Sequence, residues 1–513
     1  MWYENDQLSE ESAACDHALD SKNGELLLKL SDECKVMAEQ NDHLMLQAKH
    51  YYNSFTCLSN YLYINHLEGT ERDEVIEKIL FLCRKALRKL DEYNQEKEMY
   101  DTELSYYKGM YYSTVVNYCN ILGQIGRLPM AIFVLRPVAV ERFGMGLGNL
   151  ALKLTQYGRL DYDSGHRNIL FYKTTQLLKE VINSKDSNVH FSARDQFKEE
   201  LVKFLGEENF EERLGEIPKV DFLHEVPESF ACFGMDDYSE EFSYRKWITS
   251  QCLALNTLND IDYSSDVDHD PLHLPNMIAS IKETYPRYHG LFNQMKQEYV
   301  SARYMIFDGM FNLNTHFSDK DVFLVNTFDY PAYGLNIEKI KSAYRSLYSL
   351  FDRIGFFLNE YYDLGINQEK VSFGKVWNKN SKLNDYAEEN HILKALKWIK
   401  KDLYSNAVSE YKEYIDPILN RTYEIRNIME HRYLKILDSS FMIDEVDKID
   451  ELASSITIKE FHELALNLLR VCRESMILLV MAIKIEEDKR NKSFSEKIIP
   501  SITLDQFEDE WKK

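Results

Sequence analysis

Asn117-Tyr118-Cys119-Asn120-Ile121-Leu122-Gly123-Gln124-Ile125-Gly126-Arg127-Leu128 returns in outline 32 residues later as Asn149-Leu150-Ala151-Leu152-Lys153-Leu154-Thr155-Gln156-Tyr157-Gly158-Arg159-Leu160. In both stretches an Asn is followed, after eight residues, by Gly-Arg-Leu. A weaker copy lies at Asn60 and Gly69, without the Arg-Leu. Each stretch predicts an amphipathic helix that ends at a glycine able to take the left-handed backbone region, with a second helix after it. In the middle copy that second helix carries Ala131, small enough to admit a close helix neighbour.

Working outward, residues 1–205 are expected to be antiparallel helices. The offset of 32 is close to the period of tetratricopeptide arrays, which the region resembles. A helical bundle with two coincident Gly-Arg-Leu turns is the alternative. Stacked helix pairs expose a groove, so the array reading implies sensing or partner binding, with a protein trigger or regulator as the expected ligand.

Composition agrees with helices. The chain has 513 residues, 44% of them hydrophobic and 13% aromatic, but only 19 Gly and 10 Pro. A β-rich chain of this length would need many more turn residues. The length implies two or three domains. Eight cysteines lie scattered at 15, 34, 57, 83, 119, 232, 252 and 472, without the close spacing of a zinc site or redox pair, and read as reduced, mostly buried thiols. The N-terminus has no signal-peptide pattern, and the longest apolar run, Met476 to Ile483, is too short to cross a bilayer. The expected location is therefore the cytoplasm, with no membrane partner. A net charge of −23 argues against a surface that coats nucleic acid. Locally the balance reverses: Lys375 to Lys435 holds 12 Lys and Arg against 9 Asp and Glu.

Periodicity breaks between residues 206 and 290, where Pro218, Pro227, Pro271, Pro275 and Pro286 fall along with the acidic stretch Asp260 to Asp270. This is expected to be a folded connector, because Trp247, Leu253, Leu255 and Leu258 need something to pack against. A helical domain over 291–488 follows, with helices predicted at Gln294 to Phe311, Ile337 to Leu364, His391 to Leu403, from Asp416-Pro417 onward, and Ile458 to Lys484. Asp416 suits an N-cap and Pro417 the first helical position. Residues 489–513 are expected to be a tail. The fold class is all-α: helical repeats, then a helical bundle.

The helix from Pro417 contains Arg426-Asn427-Ile428-Met429-Glu430-His431. If it runs on through Leu437, Ile425, Ile428, Met429 and Ile436 share a core-facing side. Arg426, Asn427, Glu430 and His431 form an arc opposite. Leu419, Tyr423, Leu434 and Leu437 frame that arc, which predicts a second element or a second subunit over it.

An Arg followed by a polar residue, with a His four to six residues beyond, resembles the motif of the HEPN superfamily of ribonucleases. Arg426, Asn427 and His431 fit it with four intervening residues. Arg159 to His166 shows a similar spacing, but Leu160 replaces the polar neighbour. Tyr244-Arg245-Lys246-Trp247, Gln297-Glu298-Tyr299, Ser301-Ala302-Arg303-Tyr304 and Phe356-Phe357-Leu358-Asn359-Glu360-Tyr361 resemble a bacterial HEPN subfamily with upstream helical repeats. The resemblance spans roughly residues 240–490.

It implies a HEPN-type bundle and metal-independent endoribonuclease chemistry, needing no cofactor. His431 would be general acid or base and Arg426 would hold the scissile phosphate, with Asn427 orienting Arg426 or a phosphate oxygen. The products would carry a 2′,3′-cyclic phosphate and a 5′-OH. It further implies cellular RNA (tRNA or mRNA) as substrate, a toxin or antiphage defence role, and a homodimer that pairs two motifs through the HEPN-like domain. The alternative is a non-enzymatic dimerisation or interaction protein with a repeat-based groove, and a weaker third is a regulatory RNA-binding protein. Glu430 would either tune His431 or repel RNA. An i,i+4 ion pair between Arg426 and Glu430 is the purely structural alternative.

Lys394, Lys397 and Lys401, on the helix beginning at His391, and Arg432 are candidates for RNA-backbone contact, with a solvated helix face as the alternative. Trp398 beside them is expected in the core. Asp266, Asp268, His269, Asp270 and His273 have metal-ligand chemistry but lie in a Pro-containing loop, so no metal site is expected. No P-loop, kinase-type Gly-rich loop or nucleophile elbow is present.

Overall fold

The computed structural model describes residues 6–96, 98–184, 189–223, 239–278, 286–404, 416–438, 452–493 and 504–512. Pro227, Cys232 and residues 494–503 and 513 of the expected tail lie outside them. The fold is all-helical, apart from one small two-stranded sheet. Among the described residues, no helix is long and apolar enough to cross a membrane.

The N-terminal helices are α1 Asp6–Asp20, α2 Gly24–Gln40, α3 Leu44–Asn65, α4 Gly69–Glu96, α5 Asp101–Gln124, α6 Leu128–Val140, α7 Gly144–Leu160, α8 Ser164–Asn183, α9 Phe191–Leu205 and α10 Phe210–Glu216. From α2 to α9 each packs on the next. Gly126 meets the expectation for a helix end. Its φ is +82°, and a Cβ there would lie 2.8 Å from the His391 carbonyl oxygen, so only glycine fits both the turn and the approach. Gly158 does not mark a helix end. It lies inside α7, where a Cβ would come within 2.7 Å of Phe171, so its purpose is close helix packing. Gly69 opens α4, and the left-handed residue ending α3 is His66.

After α11 Glu240–Ser250, the chain folds irregularly through the core of the molecule. Leu253, Ala254, Leu255, Asn256, Asn259, Asp260 and Ile261 are all buried. The connector is thus a plug on which both halves of the chain pack.

The C-terminal helices are α12 Arg287–Phe311, α13 Leu335–Tyr361, α14 Phe373–Val376, α15 Leu383–Glu389, α16 His391–Leu403, α17 Pro417–His431 and α18 Ile458–Ser493. The last is the axis of the bundle: α12, α13, α16 and α17 all pack against it, and every residue from Val471 to Ile483 is buried. Asp416 caps α17, accepting the Ile418 and Leu419 N–H groups, with Pro417 in the first turn.

One expectation is corrected here. The helix stops at His431, and Tyr433–Leu437 forms strand β1, paired in parallel with β2, Ala453–Thr457. Tyr-Leu-Lys-Ile-Leu suits an extended, buried strand. Ile436 therefore faces Ile456 across a ladder rather than extending a helix stripe. Leu434 and Leu437 are buried in the strand and Leu419 in the helix, so the second apolar seam is closed within the chain.

One hydrophobic core runs through both halves of the chain. At its centre is a buried charge network. Arg127, at the start of α6, bonds Glu474 of α18 at 2.7 Å and Asp402 of α16 at 2.9 Å. Arg84 of α4 bonds Asp402 at 2.8 Å and approaches the cap Asp416 at 3.4 Å. In the plug, Asp260 accepts Arg473 at 2.6 Å and the Tyr157 hydroxyl at 2.7 Å, while Asp270 takes both arms of Arg303 at 2.7–2.8 Å.

Candidate active site

Arg426, Asn427 and His431 occupy the last two turns of α17. His431 lies five positions beyond Arg426, a rotation of about 140° and a rise of about 7.5 Å, so the two side chains lie on adjoining faces rather than one above the other. His431 is the final helical residue and is exposed. Its side chain makes no hydrogen bond or ion pair to a described residue.

Arg426 is half-buried and its guanidinium is fixed by two neutral contacts. It donates to the Asn427 side-chain oxygen at 3.0 Å and lies 5.3 Å from the ring centre of Tyr348 on α13. Among the described residues it has no carboxylate partner within ion-pair distance. Its charge is felt by Asp352 on α13, whose carboxyl accepts the Phe373 N–H at 2.9 Å. Burial raises the Asp352 pKa, against the pull of Arg426 and Lys375.

The alternative Arg426–Glu430 pair is not formed. Glu430 instead meets Arg345 of α13 at 3.2 Å, and Arg345 also donates to the Met429 carbonyl at 3.0 Å. That pair ties the end of α17 to α13 and leaves Arg426 free of an intrahelical carboxylate. Sequence reading missed the floor of the site. Tyr348, Tyr404 and Tyr423 form an aromatic cluster beneath Arg426, with ring centres 6.2–6.4 Å apart, and burial pushes the Tyr348 and Tyr404 hydroxyls up in pKa. The only available signal was Tyr423, one turn before Arg426. Tyr348 and Tyr404 are 78 and 22 residues away in sequence and meet it only in the folded chain.

The lysines lie elsewhere. Lys394 pairs with Asp73 at 3.1 Å and Glu388 at 3.0 Å, and Lys401 pairs with Glu77. Asp73 and Glu77 belong to α4, so this stripe packs against the N-terminal array, and burial lowers the pKa of Lys397 between them. Lys394 and Lys401 thus spend their charge on carboxylates within the chain. Trp398 is buried under Lys401, as expected. Arg432 is exposed beside His431.

The competing Arg159–His166 pair serves structure. Arg159 bonds Glu200 at 2.9 Å, and His166 bonds the Thr257 hydroxyl at 2.9 Å. The acidic stretch is likewise engaged, Asp268 by Arg245 and Asp270 by Arg303. Among the described residues no group of three or more His, Cys, Asp or Glu is arranged to hold a metal ion.

A helical bundle around one buried helix, with an Arg-polar-x-x-x-His motif at an exposed helix end, agrees with a HEPN-type domain in this segment of the chain. More narrowly, residues 279–486 match the family model described as LA2681-like HEPN. No curated protein and no solved structure matches the chain.

Proposed function

We propose that the protein is a metal-independent endoribonuclease of cytoplasmic RNA, acting through Arg426, Asn427 and His431. The observation that carries this reading is Arg426. In a chain of 84 acidic residues, its guanidinium is oriented by an amide and an aromatic ring, with no carboxylate in ion-pair contact among the described residues. A pre-oriented, uncompensated fork of donors suits a phosphate.

In the proposed reaction the ribose 2′-oxygen attacks phosphorus and the phosphorus–O5′ bond breaks, leaving a 2′,3′-cyclic phosphate and a 5′-OH. One imidazole takes the 2′-hydroxyl proton and another delivers a proton to O5′. Arg426 stabilises the charge on the non-bridging oxygens. Arg432, exposed next to His431 in the chain, would meet the RNA backbone.

Two imidazoles require two copies of the chain, and a homodimer would supply them. Support for a second copy now comes from a different surface than the closed seam. Phe317, Val322, Phe323, Leu324, Val325 and Phe328 are exposed in one segment, which joins the His431 end through the Tyr333–Tyr433 hydroxyl contact of 3.3 Å. Contiguous apolar surface of this kind marks an interaction face.

The N-terminal helices are the proposed regulatory part. An open cavity of about 790 Å³ between α3, α5 and α7 is lined by Tyr52, Lys108, Tyr112, Asn117, Phe143 and Met145. It is of the size and polarity that a ligand or a protein trigger could occupy. A toxin or defence role rests on family resemblance alone.

The test is induced expression of wild type beside Arg426→Ala and His431→Ala, with sequencing of 5′-OH RNA ends. New 5′-OH ends in wild type only are expected, and they name the substrate. Identical RNA profiles and equal growth in all three would remove the ribonuclease reading in favour of an interaction protein.

A further inference from the structure

Three of the seven described cysteines converge outside the HEPN segment. Cys15 of α1, Cys34 of α2 and Cys57 of α3 are all buried in one small cluster with Ala18 and Leu27. Cys15 is central to the cluster, since the Cys34 and Cys57 thiols both bear on its ionisation.

Local sequence explains the convergence. Ser31 and Ser54, one turn before Cys34 and Cys57, touch through their hydroxyls at 3.0 Å, and Ser54 donates to the Ser31 carbonyl at 2.8 Å. These small residues draw α2 and α3 together, and i,i+3 spacing puts the two thiols on the same faces. On α1, Glu11 lies one turn before Cys15. It is held by His50 and Asn53 of α3, each at 2.7 Å, which fixes the rotation of α1 over the thiols.

The other described cysteines differ. Cys252 and Cys472 donate to the Tyr263 hydroxyl and the Leu347 carbonyl, and burial pushes the Cys83 and Cys119 thiols up in pKa. At Cys15, hydrogen bonds from Cys34 and then Cys57 outweigh burial and lower the pKa, while the bond to Cys15 raises that of Cys34. The Glu11 carboxylate opposes this shift and the Lys49 ammonium assists it. A thiol stabilised as thiolate, next to two partner thiols, has the chemistry of an oxidant-sensitive site.

We propose that Cys15, Cys34 and Cys57 form a peroxide-reactive thiol site, in which Cys15 is oxidised and closes a disulfide onto Cys34, with Cys57 as the alternative partner. The Cys15 thiolate attacks one peroxide oxygen. A sulfur–oxygen bond forms, the oxygen–oxygen bond breaks, and the departing hydroxide takes a proton to become water. The Cys34 thiol then loses its proton and attacks the Cys15 sulfur. The sulfur–sulfur bond forms and the sulfur–oxygen bond breaks, releasing a second water. Two thiols are oxidised by two electrons, and one hydrogen peroxide is reduced to two waters. The product staples α1 to α2. Because α1 packs chiefly on α2 and α3 alone, a local opening of this terminal helix suffices to admit peroxide.

The test treats the full chain with near-stoichiometric hydrogen peroxide, alkylates the remaining thiols, and maps peptides without reduction. A Cys15–Cys34 link is expected, with loss of two alkylatable thiols. Cys34→Ser should move the link to Cys57. In Cys15→Ser, checked for folding by circular dichroism, peroxide-dependent thiol loss should slow at least about tenfold. If Cys15 stays alkylatable in wild type, or if links arise first at Cys83, Cys119 or Cys232, the proposal is overturned. The wild-type map decides this even if a variant fails to fold, and its outcome is independent of the RNA assay.

Discussion

Arg127 and Arg426 are the same residue type put to opposite uses. Arg127 is deeply buried and compensated twice, by Glu474 and Asp402. Arg426 is half-buried and held by an amide and an aromatic ring. Burying a guanidinium costs solvation that its two carboxylates offset, so the first arrangement fastens the N-terminal helices to α16 and α18. The second leaves donor capacity unspent, which is useful only if an anion arrives. The difference separates the arginines that hold the protein together from the one best placed to act.

The sharpest way to break this contrast is Arg127→Ala, which leaves Asp402 and Glu474 buried and short of a partner. A loss of about 3–5 kcal/mol is expected, read from the urea unfolding midpoint. A change below about 1 kcal/mol would mean that the network does not fasten the two halves.

Arg426→Ala should do the reverse. Unfolding free energy should stay within about 0.5 kcal/mol of wild type, since a partly exposed side chain without an ion pair is removed. RNA cleavage should fall by about 10²–10³-fold, the usual cost of losing one donor to a developing oxyanion. Denaturation and single-turnover cleavage on the same preparation measure both sides.

A smaller effect concerns pH. Burial alone would raise the Asp270 pKa, but the Arg303 guanidinium and the hydrogen bonds it makes bring it below the ordinary value. A depressed folded-state pKa contributes stability above the unfolded value of about 3.9, and that stability is lost as pH falls through the lower folded value. Asp270→Asn should therefore be less stable than wild type by about 1.5–3 kcal/mol at pH 7. The gap should close below about pH 4, in urea midpoints taken across a pH series.

The smallest effect belongs to the exposed Arg345–Glu430 pair. Glu430→Gln should change stability by less than about 1 kcal/mol. The informative readout is RNA binding at low and moderate salt. Tighter binding on removing this charge would show that Glu430 opposes the phosphate backbone at the site.

Much of the fold was legible in advance because helix signals are local. Asp416-Pro417 announces the start of α17, and the span His391 to Leu403 is the observed α16. The end of α17 was not legible. Through Leu437 the apolar spacing fits a helix as well as a strand, and pairing with Ala453–Thr457 resolved the ambiguity. Of the candidate site, the Arg-Asn and His could be read directly. Tyr348, Asp352 and Tyr404 could not, because no local pattern links α13 and the end of α16 to α17.

The sequence by itself determined an all-helical chain and the motif Arg426-Asn427-x-x-x-His431, because helical periodicity, caps and a short motif are encoded within a few turns. Only the tertiary structure decided how the charges are used. It set Arg127 of the Gly-Arg-Leu turn against Glu474, 347 residues away, drew Lys394 and Lys401 to α4, and left Arg426 without an ion pair among the described residues. Charge pairing depends on which distant groups share a low-dielectric space, and folding alone establishes that.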